Sequence, residues 1–244
     1  MPVRESDPIL ELVDIHKSFG SRKILQGVSF KVYSGEILGL IGPSGCGKST
    51  IMKIICGLLE PDKGKVIKRS EDIGLVFQGS ALLNSLTVRD NLAIALERRK
   101  LSRADEDKII NEKLKMVGLE GFGEYSPTKL SGGQQKRTSF ARAIVNDPKI
   151  ILYDEPTTGL DPVMSTIIED YMIELEKNLQ AASIVVTHQY STWTRTADRV
   201  LLMHAGKIVW EGSPEEGVKS EDPYMKQFAQ ATREGPMETG IKDV

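Results

Sequence analysis

The chain has 244 residues, 40% hydrophobic and 27% charged, with 32 Lys and Arg against 34 Asp and Glu and a formal net charge of -2. This length accommodates one large α/β domain or a core with an inserted lobe, and the even charge, without a basic stripe, argues against a nucleic-acid binder. Cys46 and Cys56 lack metal-ligand spacing or a disulfide framework, as in a reduced cytosolic protein, and with no run near about 18 apolar residues any membrane-spanning part would be another chain.

Ile9 to Ile15 and Val28 to Val32 read as strands flanking a loop from Lys17 to Lys23. Phe19 in that loop has two readings, a flat face on which an adenine ring can stack or an ordinary loop anchor. The apolar run Ile37 to Ile41 leads directly into Gly42, Pro43, Ser44, Gly45, Cys46, Gly47, Lys48, Ser49 and Thr50. These nine residues carry the phosphate-binding pattern G-x-x-x-x-G-K-[ST]. Its glycines let the backbone fold tightly enough to aim successive N–H groups inward, and the helix that starts at Lys48 turns its positive end toward an anion. Lys48 suits the β- and γ-phosphates, Ser49 a Mg²⁺ ion, and Thr50 the neighbourhood of the α-phosphate. The helix is expected over Lys48 to Leu58 with Ile51, Ile54, Ile55 and Leu58 on one face, ended by a turn at Pro61, Asp62 and Gly64.

Short strands follow at Val66-Ile67 and Ile73 to Phe77, the second delivering Gln78 at its carboxyl end, where open α/β sheets place ligands. Gln78 can offer an oxygen to Mg²⁺ and an amide to water, though without the motifs downstream it reads as a solvated loop residue. From Ser80 to Tyr125 the pattern turns helical, with Thr87 capping Val88 to Glu97 and Ser102 capping Arg103 to Val117. The charges of Arg98 to Lys108 read as a solvated face.

Ser131 stands at a helix N-cap position followed by two glycines, a second anion-binding helix start. The buried strand Ile150 to Tyr153 closes on Asp154 and Glu155, adjacent acids that are costly there unless they meet a cation or a proton. Asp154 suits a Mg²⁺ shell and Glu155 a general base acting on water. Asp161-Pro162 opens a helix with Ile167, Ile168, Tyr171 and Leu175 inward. Ser183 to Val186 is a further strand ending at Thr187-His188, and His188 is either a γ-phosphate contact or a structural histidine. A hairpin across Ala205-Gly206 and short helices at Pro214 to Lys219 and Pro223 to Ala231 complete the ordered pattern. Thr232 to Val244 reads as loose.

Taken in order, G-P-S-G-C-G-K-S-T, Gln78, L-S-G-G-Q-Q, I-I-L-Y-D-E-P, G-L-D-P and T-H resemble the motif set of the ATP-binding-cassette (ABC) ATPases over about residues 9 to 212. The resemblance implies an α/β fold, a P-loop NTPase cassette with a RecA-like core, an antiparallel β subdomain and an inserted α-helical lobe at about 80–146. A helical tail, 213–244, would follow and could dock another subunit. It implies hydrolysis of ATP with Mg²⁺ in a head-to-tail dimer of two copies. Ser131, Gly133 and Gln134 would then act on the nucleotide held by the partner copy, Phe19 would stack on adenine, and Asp161 would link the two sites. The spacing from Lys48 to Ser131 leaves no room for the coiled coils of repair-type members, and one cassette rather than two sets the chain apart from ribosomal types.

Finer features, F-Q-G-S-A-L-L-N-S-L-T-V-R-D-N-L from Phe77 to Leu92, Lys136-Arg137 and Q-F-A-Q-A-T-R-E-G-P from Gln227 to Pro236, look like the ATPase subunits of Mla-type lipid transporters. That resemblance implies a membrane permease, an MCE-type lipid-binding subunit and a peripheral place on the cytoplasmic face of the inner (plasma) membrane. Gln134-Gln135 departs from many Mla-type members and matches ABC proteins at large. The alternatives are the ATPase of a solute importer and a cell-division type ABC ATPase. Permease contact is expected near Gln78 to Leu86, with Leu82, Leu83 and Leu86 lining a groove.

Overall fold

The computed structural model describes residues 7–237 and builds them on two sheets. Strands β1 (Leu10–Phe19), β2 (Arg22–Val32) and β4 (Lys63–Lys68) form an antiparallel sheet in the order β2-β1-β4. The loop expected from Lys17 to Lys23 is mostly strand. Phe19 pairs with Arg22, so only Gly20 and Ser21 turn the hairpin, and their glycine-containing pair fits that job.

The second sheet runs β5 (Ile73–Val76), β6 (Ile150–Asp154), β7 (Ala182–Thr187), β3 (Ile37–Ile41), β8 (Arg199–His204) and β9 (Lys207–Gly212) in spatial order. All pairings are parallel except β8 with β9. Both faces are covered, which is why Ile37–Ile41 and Ala182–Thr187 are buried at every position. Alternate side chains enter different interiors. Leu38, Leu40, Ile150, Leu152, Ile184 and Val186 face the core shared with the antiparallel sheet and helix α1 (Lys48–Ile55). Ile37, Ile151, Tyr153 and Val185 face a second core under the helical lobe and α5 (Pro162–Leu179).

The lobe lies between β5 and β6 in the chain and holds α2 (Val88–Leu96), α3 (Arg103–Met116) and α4 (Gly132–Ile144). Thr87 and Ser102 cap α2 and α3 by accepting from the Asp90 and Asp105 amides. The charges after α2 are more than a solvated face: Glu106 and Asp107 accept from the buried Arg89 guanidinium at 3.0 and 2.5 Å. Two expected inward residues point out. Helix α1 stops at Ile55, leaving Leu58 71% exposed, and Ile167 is 38% exposed because the inward stripe of α5 is Ile168, Met172 and Leu175.

After β7 comes a helix the residue pattern does not announce, α6 (Tyr190–Thr196), followed beyond β9 by α7 (Pro214–Val218) and α8 (Pro223–Gln230). Met225 of α8 is fully buried with Ile41, Trp193, Val200 and Leu202, so this part of the tail folds on its own core. The rest of the expected tail, 238–244, lies outside the described residues. Among the described residues no helix is long and apolar enough to cross a membrane.

Candidate active site

Because β6, β7 and β3 are spatial neighbours and parallel, their carboxyl ends bring three segments together: Asp154-Glu155, Thr187-His188 and the loop from Gly42 to Lys48. The loop depends on its glycines. At Gly42, φ 144°, a Cβ would lie 2.3 Å from the Met203 carbonyl oxygen, and at Gly47, φ 116°, it would lie 2.7 Å from Leu25 Cδ2. Gly47 also begins α1 without a side-chain cap, whereas α2, α3, α4, α5, α7 and α8 each have one. The first N–H groups of α1 are thus left for an anion to satisfy.

Lys48 is buried under the loop, its ammonium donating to the carbonyl oxygens of Gly42 at 2.7 Å and Pro43 at 3.1 Å. Pro43, Ser44, Gly45, Ser49 and Thr50 remain at least partly open to solvent on the loop and first turn, whereas Cys46 is buried beneath them. Burial pushes the Cys46 thiol up, against the pull of Lys48.

Across from the loop, burial and the neighbouring Glu155 push the Asp154 carboxyl up, while Lys48, Lys53 and Lys136 pull it down. Adjacent acids facing several cations make a site where a divalent ion relieves the repulsion. Ser49, Gln78 and Asp154 are one carboxylate and two neutral oxygens, which fits a small hard cation that takes its other oxygens from phosphate and water. No group of three or more His, Cys, Asp or Glu able to hold a metal occurs among the described residues.

Glu155 is held in the left-handed region at φ 49°, a conformation that costs on the order of 1–3 kcal/mol and clusters at functional sites. Its amide donates to the Val186 carbonyl at 2.9 Å. Its carboxylate lies 2.8 Å from His188 Nδ1 and accepts from the hydroxyls of Thr158 at 3.2 Å and Thr187 at 3.4 Å. The pair Glu155–His188 can accept a proton from water and hold a charge that develops beside it.

Gln78 follows β5 with its side chain exposed, and its carbonyl accepts from the buried Lys136 ammonium. Burial pushes that ammonium down and Asp154 pulls it up. Sequence reasoning assigned Lys136 no place in the site, because nothing in Q-Q-K-R-T-S-F marks which base turns inward.

Other expected site residues stand apart from this group. Ser131 and Gln134 close on each other in a capping box, the Gln134 amide donating to Ser131 Oγ at 3.3 Å and the Ser131 amide to Gln134 Oε1 at 2.9 Å. Gly133 faces Met164, whose Cε would lie 2.1 Å from a Cβ there. Asp161 caps α5 by accepting from the Val163 and Met164 amides at 3.0 Å. None of these bonds reaches the loop from Gly42 to Thr50 in the same chain. Phe19, at the end of β1, is 55% exposed with the Lys17 ammonium 5.8 Å from its ring centre.

Residues 25–158 match the family model described as ABC transporter. The chain is 43% identical to Protein TRIGALACTOSYLDIACYLGLYCEROL 3, chloroplastic, of Arabidopsis thaliana over 96% of its own length and 76% of that protein. It is 38% identical to a probable sulfate/thiosulfate import ATP-binding protein of Chlorella vulgaris over 83% of its length and 90% of that one. Among solved structures it resembles a dimeric ATP-binding cassette in a post-hydrolysis state, bound to ADP and Pi, with a TM-score of 0.75 and 30% identity. That likeness covers 84% of this chain and 98% of the other.

Proposed function

The chain belongs to the ABC transporter family, whose ATP-binding subunits bind ATP with Mg²⁺ and couple its hydrolysis to transport, and from that premise we propose that its cargo is lipid. The observation that carries this reading is the 43% identity, over nearly the whole chain, to a protein named for a glycolipid. The resemblance of Gln227 to Pro236 and Phe77 to Leu92 to Mla-type subunits points the same way. A second reading, the ATPase of a solute importer, is favoured by the sulfate/thiosulfate relative at 38%.

In the proposed mechanism the open N–H groups of α1 and the Lys48 ammonium hold the phosphates, and Phe19 supplies an exposed ring for adenine. Ser49, Gln78 and Asp154 would hold Mg²⁺, which neutralises phosphate charge when bound. Glu155 takes a proton from the attacking water while the water oxygen bonds to the γ-phosphorus. The bond to the β–γ bridging oxygen breaks, and ADP leaves with that electron pair. His188, against Glu155 at 2.8 Å, orients the base and faces the γ-phosphate.

Ser131, Gly133 and Gln134 act on the nucleotide of a second copy, head to tail, and Asp161 lies between the two sites. The reading is supported by their lack of any bond to their own loop and by the dimeric state of the related cassette. A membrane permease supplies the spanning part and an MCE-type subunit the lipid contact, which puts the chain on the cytoplasmic face of the inner membrane. The permease contact fits a cavity of about 710 Å³ beside Gln78, with Phe77, Leu83 and Ile94 exposed in it and Arg98, Arg99 and Arg142 around it. Of the expected leucines only Leu83 lines it; Leu82 and Leu86 lie outside.

The test is purification with the membrane partners, mass spectrometry of co-purified lipid, and ATP hydrolysis with and without that lipid in vesicles. Bound lipid that stimulates turnover is the expected result. Stimulation by sulfate or thiosulfate, with no lipid retained, would replace the lipid reading by the importer one.

A further inference from the structure

Behind the Glu155–His188 pair, a file of buried polar side chains connects α5 to both loops that carry the pair. Glu169 of α5 is fully buried, a costly place for a carboxylate. Its Oε2 lies 2.8 Å from Arg195 Nε, and its Oε1 accepts from the Thr192 hydroxyl at 2.9 Å and from Ser191 at 3.4 Å. Thr192 Oγ1 is 2.8 Å from Thr157 Oγ1, which is 2.9 Å from Gln189 Oε1. Thr157 stands two residues after Glu155, and Gln189 directly follows His188. The Gln189 backbone amide donates to Thr187 Oγ1 at 3.0 Å, and that hydroxyl reaches Glu155.

One end sets the direction of the whole file. An ionised carboxylate only accepts, so Thr192 gives its single proton to Glu169 and keeps its oxygen free to accept from Thr157. Thr157 then has no proton left for Gln189. The file closes when Gln189 turns its amide nitrogen to Thr157, an end-for-end choice that leaves the heavy atoms in place. A neutral amide at position 169 could donate instead, and the polarity would no longer be defined. The Arg195 pair alone does not explain the burial of this carboxylate: the arginine side chain is 44% exposed, and one such partner offsets the cost of taking a carboxylate out of water only when further hydrogen bonds satisfy its remaining lone pairs.

We infer that Glu169, acting through Thr192 and Thr157, is a positioning residue for hydrolysis. It locks the loop after Glu155 to the loop after His188 and so holds the base in line with the attacking water. This rests on the reading of Glu155 as the base.

Steady-state ATP hydrolysis by the full chain, with melting temperature measured alongside, tests it in three variants. Thr192→Val removes the hydroxyl and keeps the branched shape; Thr192→Ser keeps the hydroxyl; Glu169→Gln keeps the shape at 169 and frees the polarity. Thr192→Val and Glu169→Gln should each lower kcat about 10-fold with KM for ATP within about twofold, as slight misplacement of a reacting group does, and Thr192→Ser should restore kcat. Wild-type kcat in a folded Thr192→Val or Glu169→Gln chain overturns the inference, as does a Thr192→Ser chain as slow as Thr192→Val. Either slow variant suffices if the other does not fold. Adding Thr192→Val to Glu155→Gln should cost nothing further, since the file acts through the base; a second full loss overturns it. If Glu155→Gln alone keeps normal turnover, the base reading fails, which is a separate result.

Discussion

Replacing Met225 by alanine empties the space of a fully buried side chain that touches the core through Ile41, Trp193, Val200 and Leu202. Its methyl group also sits against Gly217, where a Cβ would lie 2.8 Å from Met225 Cε, so the residue facing the gap has no side chain that could move in to fill it. A buried Met→Ala change costs about 2–5 kcal/mol, the upper part applying where collapse is blocked. In a chain of this size each kcal/mol moves the melting temperature by about 2–4 °C, so a fall of at least about 4 °C is expected. The assay is thermal melting of the full chain without nucleotide, with ATP affinity measured well below the transition and expected to be unchanged. A fall under about 2 °C, together with weaker dimer mass in the assembled complex, would refute the packing argument and assign Met225 to a partner.

Glu155→Gln should retain ATP binding and lose about 10²–10⁴ in turnover, the contribution of a positioned base; near-normal turnover removes Glu155 from that role. Asp154 has its pKa raised in the fold by burial and by Glu155, so the folded chain binds that proton more tightly than the unfolded chain. The penalty is absent below the unfolded pKa and complete above the folded one. Asp154→Asn should therefore melt above the parent near pH 7 without nucleotide, with the gap closing as pH falls toward about 4; a gap independent of pH would contradict this. Lys48→Ala chains mixed with Ser131→Arg chains should form nucleotide-driven pairs with one intact site, above either variant alone, and no gain on mixing would rule out the head-to-tail arrangement.

What could be read from residues alone was what depends on local chemistry. The phosphate loop, the Ser131 cap, Asp161 before Pro162 and the apolar run into Asp154 each carry their reason within a few positions, and the structure forms each of them. Most of the misses arose where distant packing decides. Helix α6, Y-S-T-W-T-R-T, is poor in helix formers and exists because Trp193 is buried against Val200 and Leu202. Phe19 looked like loop because a two-residue turn was not recognised in Phe19-Gly20-Ser21-Arg22. Ile167 and Ile168 are indistinguishable by type, and only the direction in which α5 rolls on the sheet selects one of them. Glu169, Thr192 and Lys136 belong to no local pattern; their partners lie in other elements.

The position of β3 in its sheet has a consequence for the chain's synthesis. Ile41 pairs with Thr187 on one side and Leu202 on the other, and Met203 supplies the carbonyl against which Gly42 closes. The last of these neighbours leaves the ribosome about 160 residues after Ile41, roughly 8–32 s later at about 5–20 residues per second. Until then the nine residues from Gly42 to Thr50 lack their floor and the second of their flanking strands. Such long-range pairing is slow to form, and it makes nucleotide binding a late event: a nascent chain gains ATP as a ligand only once β7 and β8 have enclosed β3. From that moment binding adds to the stability of the fold by mass action, so the first ATP molecule the protein meets also seals its folding.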